Sequence, residues 1–389
     1  MRVALTEVAS VVEGVLDPER ERGVVTGVTV NSRAVQPGDL FVAFQGGTLD
    51  GHDFVDEAWR RGAAAVMVSR GVDAAGPAIR VSDTGVALTR LAGWVRDSLD
   101  PVVVGITGST GKTSTKDLVV AVSSVRFNTS GSPKNYNNEI GVPLTLLGIK
   151  SETEVIVCEM GARGIGHIAA LCELARPQVG IVTNVGVTHY EQFGSVQAIA
   201  RAKSELVRSL PEGGTAVLNA DDPAVLAMQG STVAEVITFG MGSGADVRGE
   251  QVTLDGLGRP SFRISHRGGS IWVTLPFSGR HHCLNSLAAV AAGLALGIPI
   301  EDMRTGLESA VASPWRMQVE RSEGVLLVND AYNASPSSVE AALETCTAMV
   351  SAPGRLIAVL GHMAELGDIE SAEHHRIGKI AAQRCSRLI

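Results

Sequence analysis

The sequence predicts an α/β protein built on a mostly parallel sheet. Three observations carry that prediction. Apolar, β-branched runs recur at 102–106, 155–158, 179–183, 215–218 and 236–239, and helix-like segments fill most of the gaps. The 389 residues include 44 Gly but only 4 Trp, 3 Tyr and 8 Phe, a balance suited to many tight strand-to-helix turns. One of the apolar runs passes directly into a glycine-rich loop that opens a helix.

Taken in order, residues 1–98 mix short strands and helices and read as a small α/β domain. Pro37-Gly38-Asp39 introduces a strand-like Leu40–Phe44, followed by a helix from Phe54 to Arg61 that Gly62 ends. Residues 63–69 read as a further buried strand. Residues 99–313 hold the regular alternation. Within them Phe262, Ile264, Ile271, Val273 and Leu275 alternate around Arg267-Gly268-Gly269, which predicts an antiparallel hairpin. Leu284–Leu296 reads as a helix stopped by Gly297. Residues 314–389 form a third α/β segment with strand Val325–Val328, helix Ser337–Met349, strand Leu356–Leu360 and helix His374–Cys385. Compact domains commonly run to about 100–150 residues. The stretch from Trp315 to Ile389 is shorter, so it is expected to be an incomplete domain in which Arg387-Leu388-Ile389 opens a strand.

Composition excludes several classes. No apolar run approaches the roughly 18 residues of a membrane span. A net charge of −8 disfavours nonspecific nucleic-acid binding. Cys158, Cys172, Cys283, Cys346 and Cys385 form no CxxC pair, so all five are expected to be small buried hydrophobes in a reducing cytoplasm.

The sharpest motif is Gly105-Ile106-Thr107-Gly108-Ser109-Thr110-Gly111-Lys112-Thr113-Ser114. Glycines allow backbone N–H groups to converge on phosphate oxygens, and the helix N-terminus adds favourable partial charge. Lys112 would reach the terminal phosphates and the Thr113 hydroxyl would hold Mg²⁺. The strict GxxxxGK[ST] pattern fails because position 106 is isoleucine. Ligands of such sheets bind beyond the C-terminal strand ends. Glu159 ends one run there, as a candidate Mg²⁺ carboxylate, and Asn184 and His189 follow another.

These residues resemble the Mur ligases, ATP-dependent enzymes that extend the peptide of the peptidoglycan precursor. The resemblance runs from about residue 26 to the C-terminus. It rests on Thr107–Ser114, on Lys112-Thr113-Ser114-Thr115-Lys116-Asp117-Leu118, on Asn135-Tyr136-Asn137-Asn138-Glu139-Ile140-Gly141-Val142-Pro143-Leu144 and on Glu159-Met160-Gly161-Ala162-Arg163. Phe193-Gly194-Ser195 and Asp330-Ala331-Tyr332-Asn333-Ala334-Ser335-Pro336 add to it. It implies three domains: one for a UDP-sugar, a central phosphate-loop ATPase domain and a Rossmann-like third domain. Within the family the strings point to the reaction that joins D-alanyl-D-alanine to UDP-N-acetylmuramoyl-tripeptide, in a cytoplasmic monomer.

The resemblance also implies roles. Gly108, Ser109, Thr110, Gly111, Lys112, Thr113 and Ser114 would hold ATP phosphates. Thr113 and Glu159 would bind one Mg²⁺, and His189 and a carbamylated Lys203 a second. His281 and Asn285 would meet adenine, Asp330 the ribose and Arg316 the γ-phosphate. Ser32 and Arg33 would bind the uridine nucleotide, and Asn137 and Asn138 would lie near the acceptor.

Three positions depart from the family pattern. Asn31 precedes Ser32-Arg33 where aspartate is usual, His282 follows His281 where asparagine is common, and His362 stands where an acid is usual. The alternatives are the Mur ligase that adds the third stem-peptide residue, a generic P-loop kinase or GTPase, and a fragment that binds nucleotides without catalysis.

Overall fold

The computed structural model describes residues 2–17, 22–47, 49–73, 75–351 and 353–389. Its contacts divide the chain into two compact units, one of residues up to Val102 with Asn135–Ile156, the other of Val103–Lys134 with Val157–Ile389.

The first unit carries a five-stranded sheet in the order Val15–Leu16, Ala78–Arg80, Ala65–Val68, Asp39–Val42 and Gly27–Thr29. The last four strands are parallel to their neighbours, and Val15–Leu16 is antiparallel to Ala78–Arg80. Phe41, Val66 and Val68 from the strands pack with Val35, Val55 and Ala58. The expected helix at 54–61 begins as a 3-10 turn, Gly51–Phe54, and continues as Val55–Arg60. Helix Gly141–Leu147 packs on helix Thr84–Leu99, which is why a segment far along the chain belongs to this unit.

The second unit is organised by a nine-stranded sheet. Its order is Gly269–Thr274, Pro260–His266, Val247–Leu254, Glu235–Gly240, Thr215–Asn219, Val179–Val182, Val102–Thr107, Val155–Glu159 and Thr129–Gly131. The run from Val102–Thr107 to Glu235–Gly240 is parallel. The predicted hairpin pairs Pro260–His266 with Gly269–Thr274 in antiparallel register, and Val247–Leu254 extends it. Strand Val102–Thr107 has later strands on both sides, so the chain diverges at its C-terminal end and leaves a crevice there. Val182, Val207, Leu210, Ala216 and Leu218 form a core on one face. The alanine-rich helix His282–Ala295 packs against helix Lys112–Ser123.

The third segment lies in this unit. Strands Gln318–Ser322 and Val325–Asn329 are antiparallel, and helices Pro336–Met349 and Glu370–Arg384 pack together. The strand expected at 356–360 is shorter, Ile357–Ala358, although Leu360 N–H still donates to the Ile389 carbonyl at 3.0 Å. Arg387–Leu388 pairs with it in parallel. All five cysteines are free; Cys158, Cys172 and Cys283 are buried, but Cys346 and Cys385 are only half-buried, which corrects the expectation for those two. Among the described residues no helix is long and apolar enough to cross a membrane.

Candidate active site

The glycine loop follows from where its strand ends. Ile106 is fully buried inside strand Val102–Thr107 and its carbonyl accepts from Met160 N–H at 2.8 Å, so isoleucine belongs at 106 as a core residue. The loop proper begins at Gly108, where a Cβ would stand 1.8 Å from Thr183 Oγ1. Gly111 has φ +80° at the start of helix Lys112–Ser123, and a Cβ there would stand 2.8 Å from Asn285 Oδ1. Only glycine meets both demands without strain.

The loop is stapled from the neighbouring strand end. Asn184 Oδ1 accepts from Thr110 N–H at 2.9 Å, and its Nδ2 donates to Thr110 O and Oγ1. Thr183 Oγ1 donates to Thr110 O at 2.6 Å, and Ser109 Oγ accepts from Gly186 N–H at 2.8 Å. Ser114 follows in the first helical turn. Asn184 was visible in the sequence as a polar strand end; its grip on the loop was not.

Inside this frame Thr113 Oγ1 donates to Glu159 Oε2 at 2.9 Å, and both residues are buried. Glu159 is held in turn by its N–H to Ser132 Oγ. Lys112 Nζ curls back to Gly108 O at 2.8 Å and Ser109 O at 3.3 Å. Burial pushes its pKa down; Glu159 opposes that shift and Arg316 adds to it.

Two further nitrogen bases converge nearby, each feeling the Lys112 charge. Lys203 is buried on helix Val196–Arg208, and desolvation followed by the Lys112 charge holds its pKa well below the ordinary lysine value. Among the described residues nothing pairs with its ammonium. His189 sits at the start of the short helix Tyr190–Phe193, with Nδ1 hydrogen-bonded to Glu365 Oε2. Burial lowers its pKa and Glu365 works against that.

The linker into the third segment brings Arg316. Asp117 Oδ2, on the phosphate-loop helix, accepts from Ser313 N–H at 2.9 Å and Ser313 Oγ at 2.7 Å. Asp330 Oδ1 accepts from Met317 N–H at 3.0 Å. Between these anchors the Arg316 guanidinium lies 4.3 Å from the Tyr332 ring centroid. Burial raises the Asp330 pKa, and the Met317 amide and Arg316 oppose the rise.

On helix His282–Ala295, Asn285 Nδ2 donates to His282 Nδ1 at 3.3 Å while its oxygen faces Gly111. His282 therefore orients Asn285, a role open to a histidine where asparagine is usual. Its ring meets Phe277 edge-on at 4.8 Å. His281 Nδ1 and His282 Nε2 are buried and have no hydrogen-bond partner among the described residues. Burial pushes His281 down to about 4, and burial followed by the His281 and Arg316 charges holds His282 well below its usual value.

The structure thus gathers Lys112, Thr113, Glu159, His189, Lys203, His281, Asn285, Arg316 and Asp330 in the second unit. Ser32, Arg33, Asn137 and Asn138 fall in the first. There Ser32 Oγ donates to Glu57 Oε2 at 2.8 Å, and Arg33 is exposed. Asn138 Oδ1 accepts from Gly141 N–H at 2.9 Å and so starts helix Gly141–Leu147. His362 is exposed, pairs with Glu370 at 3.1 Å and stacks on His374. Sequence reasoning missed Glu365, Asp117 and Tyr332 as parts of the site. Asp117 and Tyr332 lay inside quoted motifs and Glu365 three residues beyond His362, with no local signal of what they touch.

The comparisons with known proteins bear on this arrangement. The Mur ligase middle-domain profile matches residues 106–293, the Mur ligase glutamate ligase domain 315–389, and the Mur ligase catalytic domain 24–94. A Mycobacterium tuberculosis protein named UDP-N-acetylmuramoyl-tripeptide--D-alanyl-D-alanine ligase is 38% identical, over 100% of this chain and 83% of its own length. The chain belongs to the Mur ligase family. Among solved Mur ligases, MurF from Acinetobacter baumannii is similar with a TM-score of 0.92 at 30% identity, covering 100% of this chain and 85% of that one. MurF from Thermotoga maritima in complex with ADP gives 0.81 at 32% identity, covering 92% and 82%.

Proposed function

We propose that this Mur ligase joins the amine of D-alanyl-D-alanine to the terminal carboxylate of UDP-N-acetylmuramoyl-tripeptide, cleaving ATP to ADP and phosphate in peptidoglycan precursor synthesis. The observation that carries the reading is 38% identity to a ligase of that name, over 100% of this chain and 83% of the relative, on a chain whose Thr113 bonds Glu159 and whose Gly111 lies against Asn285.

A carboxylate is a poor electrophile, since its charge is delocalised and it has no good leaving group. Attack of a carboxylate oxygen on the γ-phosphorus breaks the bond to ADP and gives an acyl phosphate. The dipeptide amine then attacks the acyl carbon, loses a proton, and phosphate departs. The chain's task is positioning and charge stabilisation. Lys112 and Arg316 offset charge on the transferring phosphoryl, and the amides of residues 108–114 cradle the phosphates. Asn285 and His281 hold adenine and Asp330 the ribose. Ser32 and Arg33 take the uridine nucleotide, with Asn137 and Asn138 near the acceptor peptide. The three-domain division at 98/99 and 313/314 belongs to this reading.

The residues fit Mg²⁺. Thr113 Oγ1 and Glu159 Oε2 are hard oxygen donors, buried and 2.9 Å apart beside the loop. Mg²⁺ characteristically takes one or two protein oxygens and completes its shell with phosphates and water. Accordingly, among the described residues no group of three or more His, Cys, Asp or Glu could hold a metal unaided. When bound, the ion neutralises phosphate charge. Thr113 and Glu159 would hold the first ion, and His189 and Lys203 a second. A Lys203 ammonium would repel a cation, but its burial favours the neutral amine, the form that adds CO₂ and becomes an anionic carbamate.

The test is phosphate release from ATP with UDP-N-acetylmuramoyl-tripeptide, with and without bicarbonate. D-alanyl-D-alanine should drive turnover. Turnover instead with the dipeptide precursor and lysine or diaminopimelate would assign the chain to third-residue addition. ATP binding without turnover on any donor would favour the non-catalytic reading.

A further inference from the structure

His189 and Glu365 lie 176 positions apart and meet through His189 Nδ1 and Glu365 Oε2. Each has φ +62°, although neither is glycine. Such backbones are uncommon and persist where the surrounding structure holds them, often at functional sites. Here the holding contacts are visible. Glu191 N–H donates to the Glu365 carbonyl at 3.1 Å. A Cβ on Gly367 would stand 3.1 Å from Glu191 Cα, so the loop approaches closely. Met363 and Leu366, on either side of Glu365, are buried in a cluster that includes Val187. At the base of the loop His374 Nε2 accepts from Met363 N–H at 3.0 Å. A loop of the third segment is thus fastened at both ends and presses one carboxylate onto one ring nitrogen.

We infer that Glu365 is a positioning residue for His189, holding the imidazole as its Nδ1-protonated tautomer so that Nε2 keeps the free lone pair. An ionised carboxylate only accepts, so the Nδ1 partner must be the donor, and the neutral ring then has its lone pair on Nε2. Carboxylate partners of this kind fix ring orientation and raise the basicity of the other nitrogen. Because Glu365 belongs to the third segment, docking of residues 361–367 onto residues 187–191 and readiness of His189 are one event. The inference rests on the reading that His189 serves ligation.

The experiment uses the full chain labelled with ¹⁵N-histidine, the His189 signals being assigned by their loss in His189→Asn. In the native protein Nδ1 should resonate as protonated and Nε2 as unprotonated. Glu365→Ala should move both toward tautomer-averaged values, and lower kcat by roughly 10- to 100-fold with KM for ATP within about twofold. Glu365→Gln, which still offers an accepting oxygen, should recover part of both. The double variant His189→Asn/Glu365→Ala should be no slower than His189→Asn alone. Unmoved His189 signals in Glu365→Ala, or additive losses in the double variant, would overturn the inference. So would Leu366→Ala, at an equal loss of Tm, reproducing both the signal shift and the fall in kcat. Full activity of His189→Asn would instead remove the underlying reading, while the nitrogen signals still report the pairing.

Discussion

The Thr113 hydroxyl donates to Glu159 Oε2 at 2.9 Å, joining the first turn of the phosphate-loop helix to the end of strand Val155–Glu159. Glu159→Gln keeps the shape and a hydrogen-bond acceptor but removes the charge. It should lower kcat by on the order of 100-fold or more, the scale of losing one preorganised electrostatic group, and raise the Mg²⁺ concentration needed for half-activity. Steady-state kinetics against Mg²⁺ checks this; an unchanged Mg²⁺ dependence would count against the metal role.

Gly111 has no room for a methyl group: a Cβ there would stand 2.8 Å from Asn285 Oδ1, and φ is +80°. Gly111→Ala should cost roughly 1–3 kcal/mol from left-handed backbone and overpacking. It should also weaken ATP binding, because Asn285 must shift. Thermal unfolding with isothermal titration of ATP measures both.

Asp117 ties the Arg316 linker to the phosphate-loop helix through two bonds to Ser313. Asp117→Ala should destabilise by about 1–3 kcal/mol, since a half-buried amide and hydroxyl lose their acceptor. It should also reduce kcat through a loosened Arg316. Ser313→Ala loses only the hydroxyl bond and should cost about 1 kcal/mol. Chemical denaturation and turnover of both variants provide the comparison, and equal effects from the two would contradict this account.

His281 is neutral in the folded chain down to about pH 4, whereas an unfolded histidine titrates near 6.5. Between those values the unfolded state binds more protons, so stability rises with pH across the window and falls as pH drops through it. The loss should reach on the order of 3 kcal/mol near pH 4. His282 is shifted in the same direction and adds to the slope. Urea denaturation from pH 7 to pH 4 should show a shallower slope in His281→Gln.

Much of the framework is legible locally. The five apolar runs became parallel strands because β-branched residues buried on both faces leave a continuous hydrophobic trace. Thr129–Gly131 left none, being Thr, Ser and Gly, and owes its strand to the sheet edge it joins. Gln318–Ser322 was hidden for a related reason, since it is largely exposed and polar and is stabilised by its partner Val325–Asn329. The loop 107–114 was readable because its chemistry is that of the backbone. The roles of Lys203 and Asn285 came only through family resemblance, as a lysine and an asparagine on helices carry no signal of their own.

By itself the sequence determined the α/β alternation, the strand–loop–helix unit for phosphates and the membership in the Mur ligase family. These depend on periodicity and short motifs, which act over a few residues. Only the tertiary structure decided that Asn184 staples Thr110, that Asp117 anchors Ser313 and that Glu365 reaches His189. Those pairs lie 74, 196 and 176 positions apart. Hydrogen bonds over such separations depend on which strand ends and loops the topology brings together, and on the desolvation that makes each contact matter.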